Sequence, residues 1–143
     1  MKTERIILFE TSIDHLTGEE LGIALEELNA MPEVLDALFL TGIGKKNRPA
    51  GLLQAICRPD SETIVRDAIF RHTHVLGIRR QFLERYVLER IETSVRVGNE
   101  LLPAKGHILN DELYLRPEAD AIRALAEKLG EGAPGIRFGK RQD

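Results

Sequence analysis

The hydrophobic residues of this sequence form short, mainly apolar runs that alternate with stripes at helical spacing. The runs cover residues 6–9, 34–40, 52–57 and 78–88, and the last run can be extended to Val97. Runs of this length predict strands that are covered on at least one face. The two stripes between them predict one helix after the first strand and one after the third.

The boundaries of the two helices can also be predicted. The apolar positions of the stripes are Leu21, Ala24, Leu25 and Leu28 in the first and Ile64, Val65, Ala68 and Ile69 in the second. Thr17 and Glu20 have the spacing of a capping box before the first helix. Asp60 or Ser61 can cap the second helix, which should end at residues 72–74.

The predicted order βαββαβ has one helix in each crossover and a short connection between the second and third strands. This order packs two helices on one face of a four-stranded antiparallel sheet. We therefore predict an α+β fold in which residues 1–90 form a ferredoxin-like plait.

The pattern of apolar and turn residues over 91–143 predicts a small β-rich unit with a C-terminal helix. Short strands at 93–97, 104–109 and 113–115 are separated by turn residues at 98–99 and 110–111. Pro117 is expected at the first helical position, and Gly130 is expected to end the helix. The apolar stripe of that helix is Ala121, Ile122, Leu125, Ala126 and Leu129.

Charge, hydrophobicity and cysteine content exclude several classes of protein. The net charge of −3 and pI of about 5.8, together with the absence of tryptophan, argue against a nucleic-acid binder. No apolar run approaches the length of a membrane span, and the start shows no signal-peptide pattern. The single cysteine, Cys57, excludes an internal disulfide, is expected to be a buried hydrophobe rather than a reactive thiol, and fits a reducing, cytoplasmic location.

The segment 41–51 concentrates basic residues between the second and third strands. Lys45, Lys46 and Arg48 place three cations within four positions, and Asn47 adds side-chain donors. Three glycines let the backbone adopt unusual angles and let a ligand approach closely. Such a loop suits a polyphosphate, although it lacks the Walker spacing. The alternative is a solvated basic hairpin.

Acidic residues and a histidine follow the first strand. Glu10, Asp14 and His15 could together bind a divalent cation. Alternatively, Glu10 pairs with an arginine and Asp14 caps the turn before the first helix. Arg79 begins the fourth strand, which in this topology starts beside the acidic end of the first. It could therefore clamp a phosphate or simply pair with a glutamate.

Two further histidines, His72 and His74, are separated by one residue at the end of the second helix. Imidazoles at this spacing occur in metal sites but are more often half-exposed side chains with no ligand.

Four segments together resemble the C-terminal domain of LarC, the nickel insertion protein of lactate racemase maturation. They are ETSIDHLTGEELG at 10–22, KKNRPA at 45–50, FRHTHVLGIRR at 70–80 and RPE at 116–118. The resemblance covers nearly the whole chain. It implies a ferredoxin-like plait followed by a small β-rich unit, assembly into homo-oligomers, and a nucleotide triphosphate, CTP, bound with a divalent cation such as Mn or Mg. It further implies a CTP-dependent chelatase reaction that inserts Ni into a pyridinium bisthiocarboxylic acid mononucleotide.

The resemblance also assigns expected roles to residues. The expected nucleotide-binding residues are Lys45, Lys46, Asn47, Arg48, Thr73, Gly77 and Arg79, and the expected metal-binding residues are Glu10, Asp14 and His15. The residues that depart from the family's usual pattern are Ser12, His15, His72, His74, Val75 and Ala119. The family's N-terminal domain has no counterpart in this chain, which suggests a separate partner subunit or a diverged homologue that lacks chelatase activity. These departures leave open a non-enzymatic oligomeric module that binds an anionic ligand, or direct nickel binding by His15, His72 and His74.

Overall fold

The computed structural model describes residues 1–138, and the chain divides into two compact units. The first unit is Thr3–Arg85, and the second comprises Met1–Lys2 and the chain from Tyr86 onward. The last five residues of the predicted second unit, 139–143, lie outside the described residues. None of the helices in the described chain combines the length and apolarity that a bilayer crossing requires.

The first unit has the predicted order of strands and helices. Its elements are β1 (Lys2–Ile13), α1 (Gly18–Ala30), β2 (Val34–Ile43), β3 (Pro49–Cys57), α2 (Glu62–Thr73) and β4 (Arg79–Val87), with short 3-10 turns at Lys45–Asn47 and Pro59–Ser61. The strands form one sheet in the order β2-β3-β1-β4, and β3 runs antiparallel to both β1 and β2. This is the arrangement of a ferredoxin-like plait, so the predicted α+β fold is confirmed.

One face of the four-stranded sheet carries the core of the first unit. Alternation along β1 turns Ile7, Phe9 and Ile13 to the same face, where they cluster with Leu28 of α1 and Val65 of α2. All five side chains are almost inaccessible to solvent. Burial of each such side chain stabilises the fold by about 1.5–3 kcal/mol. This core therefore holds the end of β1 and the end of α2 in fixed positions.

The helix boundaries agree with the sequence except at the start of α2. The predicted capping box is present, because Thr17 Oγ1 accepts from the Glu20 N–H (3.2 Å) and Glu20 Oε2 accepts from the Thr17 N–H (2.9 Å). At α2 the N-cap is Ser61, but its side chain makes no capping hydrogen bond. Asp60 does not cap α2 either, because it lies within the preceding 3-10 turn. The helix ends at His74, which adopts a left-handed conformation (φ 51°) and donates its N–H to Phe70 O.

Strand β4 lies at the edge of the sheet beside β1. Two ion pairs join their opposite ends: Arg79 to Glu10, and Arg85 to Glu4. The start of β4 therefore meets the end of β1, so the two strands are antiparallel. The sequence predicted this direction, and it is what brings Arg79 to the acidic end of β1.

The basic loop is shorter than its sequence suggested. Strands β2 and β3 pair as far as Ile43 opposite Pro49, so only residues 44–48 lie between the strands. The turn is closed by the Arg48 N–H, which donates to Lys45 O (3.2 Å), and by the Gly44 N–H, which donates to Arg48 O (2.8 Å). The pairing of β2 with β3 extends into the loop because backbone N–H and C=O groups need hydrogen-bond partners, and the neighbouring strand supplies them.

The unusual backbone angles of this loop belong to residues other than glycine, contrary to expectation. Lys46 (φ 56°) and Asn47 (φ 57°) adopt left-handed conformations, whereas no glycine in the segment has a positive φ. Gly51 serves packing instead, because a Cβ there would lie 2.2 Å from the Phe39 ring. The glycine therefore lets Phe39 of β2 fold across β3.

The second unit is a three-stranded antiparallel sheet with two helices. Its elements are β5 (Arg90–Val97), β6 (Glu100–Leu109), β7 (Glu112–Pro117), α3 (Ala119–Leu129) and α4 (Ala133–Phe138). Its small core comprises Leu102 of β6, Leu125 and Ala126 of α3, and Ile136 of α4. Positive φ angles at Gly98, Asn110 and Asp111 lie in the two predicted turns.

Two expectations for this region are wrong, and one helix is additional to those predicted. Pro117 ends β7 rather than beginning a helix, and α3 starts two residues later at Ala119. The run that begins at residue 78 does not continue to Val97, because the pairing is broken at 88–89 and β5 starts anew at Arg90. The helix α4 has no counterpart in the prediction. Pro134 lies in its first turn, where a missing N–H costs no intrahelical hydrogen bond.

Candidate functional site

A cavity of about 430 Å³ lies where β1 ends, α2 ends and β4 begins. Its lining residues are Thr11, Ser12, Asp14, His15, His74, Val75, Leu76, Gly77 and Arg79. We call this the strand-end cavity. Its lining residues belong to two of the segments that resemble LarC, 10–22 and 70–80.

Hydrogen bonds hold the walls of the strand-end cavity in place. Thr11 is buried and donates its hydroxyl to Gly77 O (2.8 Å), which ties the segment before β4 to β1. Thr73 is inaccessible and donates its hydroxyl to Ile69 O (2.6 Å). The wall is therefore formed by backbone that is bonded to the core, which favours a site of fixed shape.

His15 is bound to the end of α2 by one ring nitrogen. Its Nε2 lies 2.7 Å from Thr73 O, and because a carbonyl only accepts, Nε2 must carry a proton. In the neutral imidazole Nδ1 is then the unprotonated nitrogen. A histidine that donates one N–H to a backbone carbonyl is oriented in the way that metal-binding histidines commonly are.

Asp14 connects the strand-end cavity to the basic loop. Arg48 Nη2 lies 3.2 Å from Asp14 Oδ2, and both side chains remain about half exposed. Of the basic residues in the loop, Arg48 is the one that reaches an acidic group of the cavity. This ion pair brings the positive hairpin and the negative end of β1 together within one chain.

Glu10 lies on the sheet face away from the helices and has two polar neighbours. Its Oε1 accepts from Gln54 Nε2 (2.6 Å), and its Oε2 lies 3.9 Å from Arg79 Nε. The Glu10 side chain is mostly buried, whereas Arg79 is more than half exposed. The three side chains form a row across β3, β1 and β4, and Arg79 also lines the strand-end cavity.

The predicted metal residues are not assembled as one binding group. Asp14 and His15 line the strand-end cavity, but Glu10 does not. Among residues 1–138 there is no group of three His, Cys, Asp or Glu side chains close enough to hold an ion. Both carboxylates pair with arginines instead. This is the alternative foreseen for Glu10, whereas Asp14 makes no capping hydrogen bond among the described residues.

The predicted nucleotide-binding residues fall into three groups. Gly77 and Arg79 line the cavity, and Arg48 reaches it through Asp14. The residues of the second group, Lys45, Lys46 and Asn47, are exposed on the hairpin and do not line the cavity. Thr73 forms a third group by itself. Its hydroxyl is buried and bonded to Ile69 O, and Thr73 does not line the cavity.

The histidines also separate. His15 and His74 line the strand-end cavity, whereas His72 does not. His72 lies within the last turn of α2, and His74 departs from the helix with its left-handed backbone. The two side chains therefore diverge, as a helix end implies.

Sequence reasoning did not single out Gln54 as a site residue. It lies directly opposite Glu10 in the register of β1 and β3. Only the register of the paired strands could have found it, and periodicity alone does not specify which residues of two strands face each other.

Cys57 is not a candidate nucleophile. Its side chain is fully buried. Burial, followed by the nearby Glu62 and Asp60 carboxylates, raises the pKa of the thiol from 9.0 to about 11. A thiol with that pKa is almost entirely protonated at neutral pH and is a poor nucleophile. The expectation of a buried, inert cysteine agrees with this environment.

The chain is similar to proteins that are named for nickel insertion. The chain is 35% identical over 124 residues to a putative nickel insertion protein of Maridesulfovibrio salexigens. It is 34% identical over 125 residues to a pyridinium-3,5-bisthiocarboxylic acid mononucleotide nickel insertion protein of Alkaliphilus metalliredigens. These matches cover 86% and 87% of this chain but only 30% of each relative. The chain thus spans about a third of the length of these relatives.

A solved structure and a family model agree with these matches. The fold is similar to the apo C-terminal domain of a cyclometallase involved in the synthesis of the NPN cofactor of lactate racemase. The TM-score is 0.86 at 22% identity, and the match covers 94% of this chain and 93% of that one. The model of the family described as nickel insertion protein matches residues 1–136. The chain therefore belongs to the nickel insertion protein family.

Proposed function

We propose that this chain binds CTP together with a divalent cation at the strand-end cavity and serves the insertion of nickel into a pyridinium bisthiocarboxylic acid mononucleotide. The observation that carries the proposal is the pairing of two arginines with two carboxylates, Arg48 with Asp14 and Arg79 with Glu10. One member of each pair, Asp14 and Arg79, lines the cavity. Arginine binds phosphate oxygens through paired N–H donors. Carboxylates bind hard divalent cations.

The donor set suits a cation that arrives with its nucleotide. Magnesium-type sites often use one or two carboxylates and take their remaining ligands from phosphates and water. Asp14, with Glu10 nearby on the sheet, fits that pattern, whereas a self-sufficient protein site would need more donors than residues 1–138 gather. When bound, the cation, Mg or Mn, would neutralise charge on the phosphates.

The remaining residues have roles that follow from their positions. Arg48 and Arg79 would bind the phosphates directly, and the exposed Lys45 and Lys46 would attract the anion to the hairpin. The backbone around Gly77 is at the cavity wall and a Cβ at Gly77 would meet no atom within 4 Å, so a ligand can approach it closely. Thr73 would act by orienting His15 through its carbonyl.

Nickel insertion itself is the function that the relatives' names carry. Because the chain spans only about 30% of their length, we propose that a separate subunit of N-terminal type completes a CTP-dependent nickel chelatase. Ni would then be cargo delivered to the mononucleotide, whereas the cation bound with CTP is a cofactor.

Titration calorimetry with MnCTP tests the binding proposal directly. We expect saturable binding, and a rise in melting temperature at ligand concentrations well above Kd, since a ligand that binds only the folded state stabilises it. Arg48→Gln should weaken the binding, and Arg66→Gln, on a surface pair with Asp67 away from the cavity, is the matched control. The proposal fails if MnCTP gives neither heat nor thermal stabilisation.

The alternative of a different class is a non-enzymatic module whose charged pairs are only structural. It predicts that Lys46→Ala and Arg48→Ala leave nucleotide affinity unchanged. The ordinary ion pairs of this chain, such as Arg5 with Glu84, show that arginine–glutamate pairs also occur away from the cavity. Measurement of MnCTP affinity for the two variants therefore separates the classes.

Direct nickel binding by histidine is a second candidate, supported by the orientation of His15. Its Nε2 bond to Thr73 O leaves Nδ1 as the nitrogen available to a metal. His74 lines the same cavity, and His72 does not. If nickel binds there without nucleotide, His15→Gln and His74→Gln should each lower nickel affinity, while His72→Gln should not. Equal nickel affinity in a variant with all three changes would exclude the candidate.

We also propose that the chain forms homo-oligomers. On the sheet face away from the helices, Leu38 and Leu40 of β2 and Leu83 of β4 are exposed, and apolar side chains on a sheet face are commonly covered by a partner. Light scattering at micromolar protein should give a mass of two or more chains. A single-chain mass would contradict this.

A further inference from the structure

The two arginines expected to bind phosphate are both paired with the two carboxylates expected to bind the cation. Arg48 Nη2 lies 3.2 Å from Asp14 Oδ2, and Arg79 Nε lies 3.9 Å from Glu10 Oε2. Each arginine thus lies beside a carboxylate. The two arginines belong to different segments, the hairpin and the start of β4, and one member of each pair, Asp14 and Arg79, lines the cavity.

This pairing changes what the cavity can bind. An isolated polyanion that takes Arg48 and Arg79 leaves Asp14 and Glu10 without their arginines and adjacent to negative phosphates, which is unfavourable. A bare cation that takes Asp14 leaves Arg48 beside another positive charge. Only a ligand that carries both charges, a polyphosphate with its divalent cation, can replace both partners of each pair at once.

We propose that the Arg48–Asp14 and Arg79–Glu10 ion pairs exchange their partners when a ligand binds. This exchange makes the strand-end cavity select a cation–polyphosphate complex over either component alone. On binding, each arginine would exchange its carboxylate for phosphate oxygens, and Asp14 would exchange Arg48 for the cation. This inference rests on the proposed function, and it adds the basis of ligand selection at the same site.

The geometry of the pairs suits exchange. Both arginine side chains are more than half exposed, and the pair with Glu10 is at the long end of ion-pair distances. An exposed pair such as Arg48–Asp14 contributes only about 0–1 kcal/mol, so little free energy is lost when it separates. In the second pair the arginine is exposed but Glu10 is mostly buried. Glu10 also keeps its hydrogen bond from Gln54, which would hold the carboxylate in place while Arg79 moves.

A simple basic site and an exchangeable one predict opposite preferences. Metal-free triphosphate carries more negative charge than its magnesium complex. A site made only of cations would therefore bind the metal-free form more tightly. Exchange predicts the reverse order, because the carboxylates repel the metal-free anion and attract the cation in the complex.

The experiment is calorimetric titration of the full chain with inorganic triphosphate in EDTA, with MgCl₂ alone, and with both. We expect the magnesium complex to bind roughly tenfold more tightly than triphosphate in EDTA, which corresponds to about 1.4 kcal/mol, and magnesium alone to bind weakly. Asp14→Asn should raise the affinity for metal-free triphosphate and abolish the preference for the complex. Glu84→Gln, which breaks the exposed Arg5–Glu84 pair on the same two strands, is the matched control and should leave the preference unchanged.

The outcomes separate this inference from the proposed function. Tighter binding of metal-free triphosphate to the unmodified chain overturns the exchange, as does an unchanged preference in Asp14→Asn. The proposed function is judged independently by the MnCTP titration. If MnCTP binds while triphosphate shows no metal preference, only the exchange fails. If neither ligand binds in any form, both proposals fail.

Discussion

The two ends of the β1–β4 strand pair carry the same kind of ion pair in different surroundings. At one end Arg85 makes a close, hydrogen-bonded pair with Glu4, and both side chains are largely buried. At the other end Arg79 and Glu10 are 3.9 Å apart, with the arginine mostly exposed at the strand-end cavity. We call the end with the Arg85–Glu4 pair the closed end, and the end with the Arg79–Glu10 pair, beside the cavity, the open end.

This difference indicates where a ligand can act. A close, partly buried pair is costly to separate, because the remaining charge is left poorly solvated. Glu10 is also mostly buried, but its arginine is mostly exposed and its carboxylate keeps a hydrogen bond from Gln54. The Arg79–Glu10 pair can therefore exchange partners at a smaller cost. The sequence alone shows arginine and glutamate at both ends, and only the packing around them distinguishes a structural pair from a candidate ligand site.

The core does not distinguish the two ends. Ile7, midway between Glu4 and Glu10, and Ile13, toward the cavity, are both inaccessible. The ends differ instead in their ion pairs and in the cavity beside one of them. Changes at the closed end should therefore alter stability, and changes at the open end should alter binding.

The largest effect is expected when both arginines of the open end are removed. The double change Arg48→Gln with Arg79→Gln should lower MnCTP affinity on the order of a hundredfold, because each lost charged hydrogen bond is worth about 1.5 kcal/mol or more. The free energy of unfolding should change by less than about 1 kcal/mol, since both side chains are exposed. Calorimetric titration and urea unfolding measure the two quantities, and a loss of stability without a loss of affinity would reverse the assignment of the two ends.

The closed end should give the opposite result. Arg85→Gln leaves Glu4 with a weaker partner in a largely buried position, so we expect the free energy of unfolding to fall by about 1–2 kcal/mol. MnCTP affinity should not change, because neither residue lines the cavity. The same unfolding and titration measurements apply, and weakened MnCTP binding by folded Arg85→Gln protein would count against the division.

A smaller effect is expected at the tip of the basic hairpin. Lys46→Asn keeps a residue that tolerates the left-handed conformation (φ 56°) but removes the charge. We expect MnCTP affinity to fall only a few-fold with no loss of stability. Lys46→Val removes the same charge with a β-branched side chain that disfavours positive φ, so it should show the same loss of affinity and also lower the melting temperature. Equal melting temperatures of the two variants would argue against the left-handed turn.

The effect expected at Cys57 is absent near neutral pH and appears only in alkali. Because its pKa is about 11 in the folded chain against 9.0 as the ordinary value, the thiol is almost entirely neutral in both states below about pH 8. Above pH 9 the unfolded state ionises first, so the free energy of unfolding should decline between pH 9 and pH 11. Cys57→Ala should lose this part of the decline. An identical pH dependence for the two proteins, or rapid labelling of the folded thiol at pH 8, would contradict the buried environment.

Local sequence was sufficient for most elements of the first unit. Apolar runs and helical stripes identified four strands and two helices, and the Thr17–Glu20 capping box placed the start of α1 correctly. Boundaries were less accurate. The hairpin was expected at 41–51, but strand pairing extends to Ile43 and Pro49, and glycines had suggested flexibility where they serve packing. Such extensions depend on the partner strand, which a local pattern does not contain.

The site was predictable to the extent that topology determined it. The antiparallel pairing predicted for the first and fourth strands is sufficient to bring Arg79 to the acidic end of β1, where Glu10 lies. Other features depend on tertiary packing. The burial of Thr73, the register that sets Gln54 against Glu10, and the His15 bond to Thr73 O each join segments that are distant in the sequence.

One measurement tests the central claim most directly: a crystal structure of the chain soaked with CTP and manganese. We predict the triphosphate in the strand-end cavity, with Arg48 and Arg79 on its oxygens and Asp14 on the manganese in place of Arg48. Nucleotide bound elsewhere, with the Arg48–Asp14 and Arg79–Glu10 pairs still intact, would contradict the account.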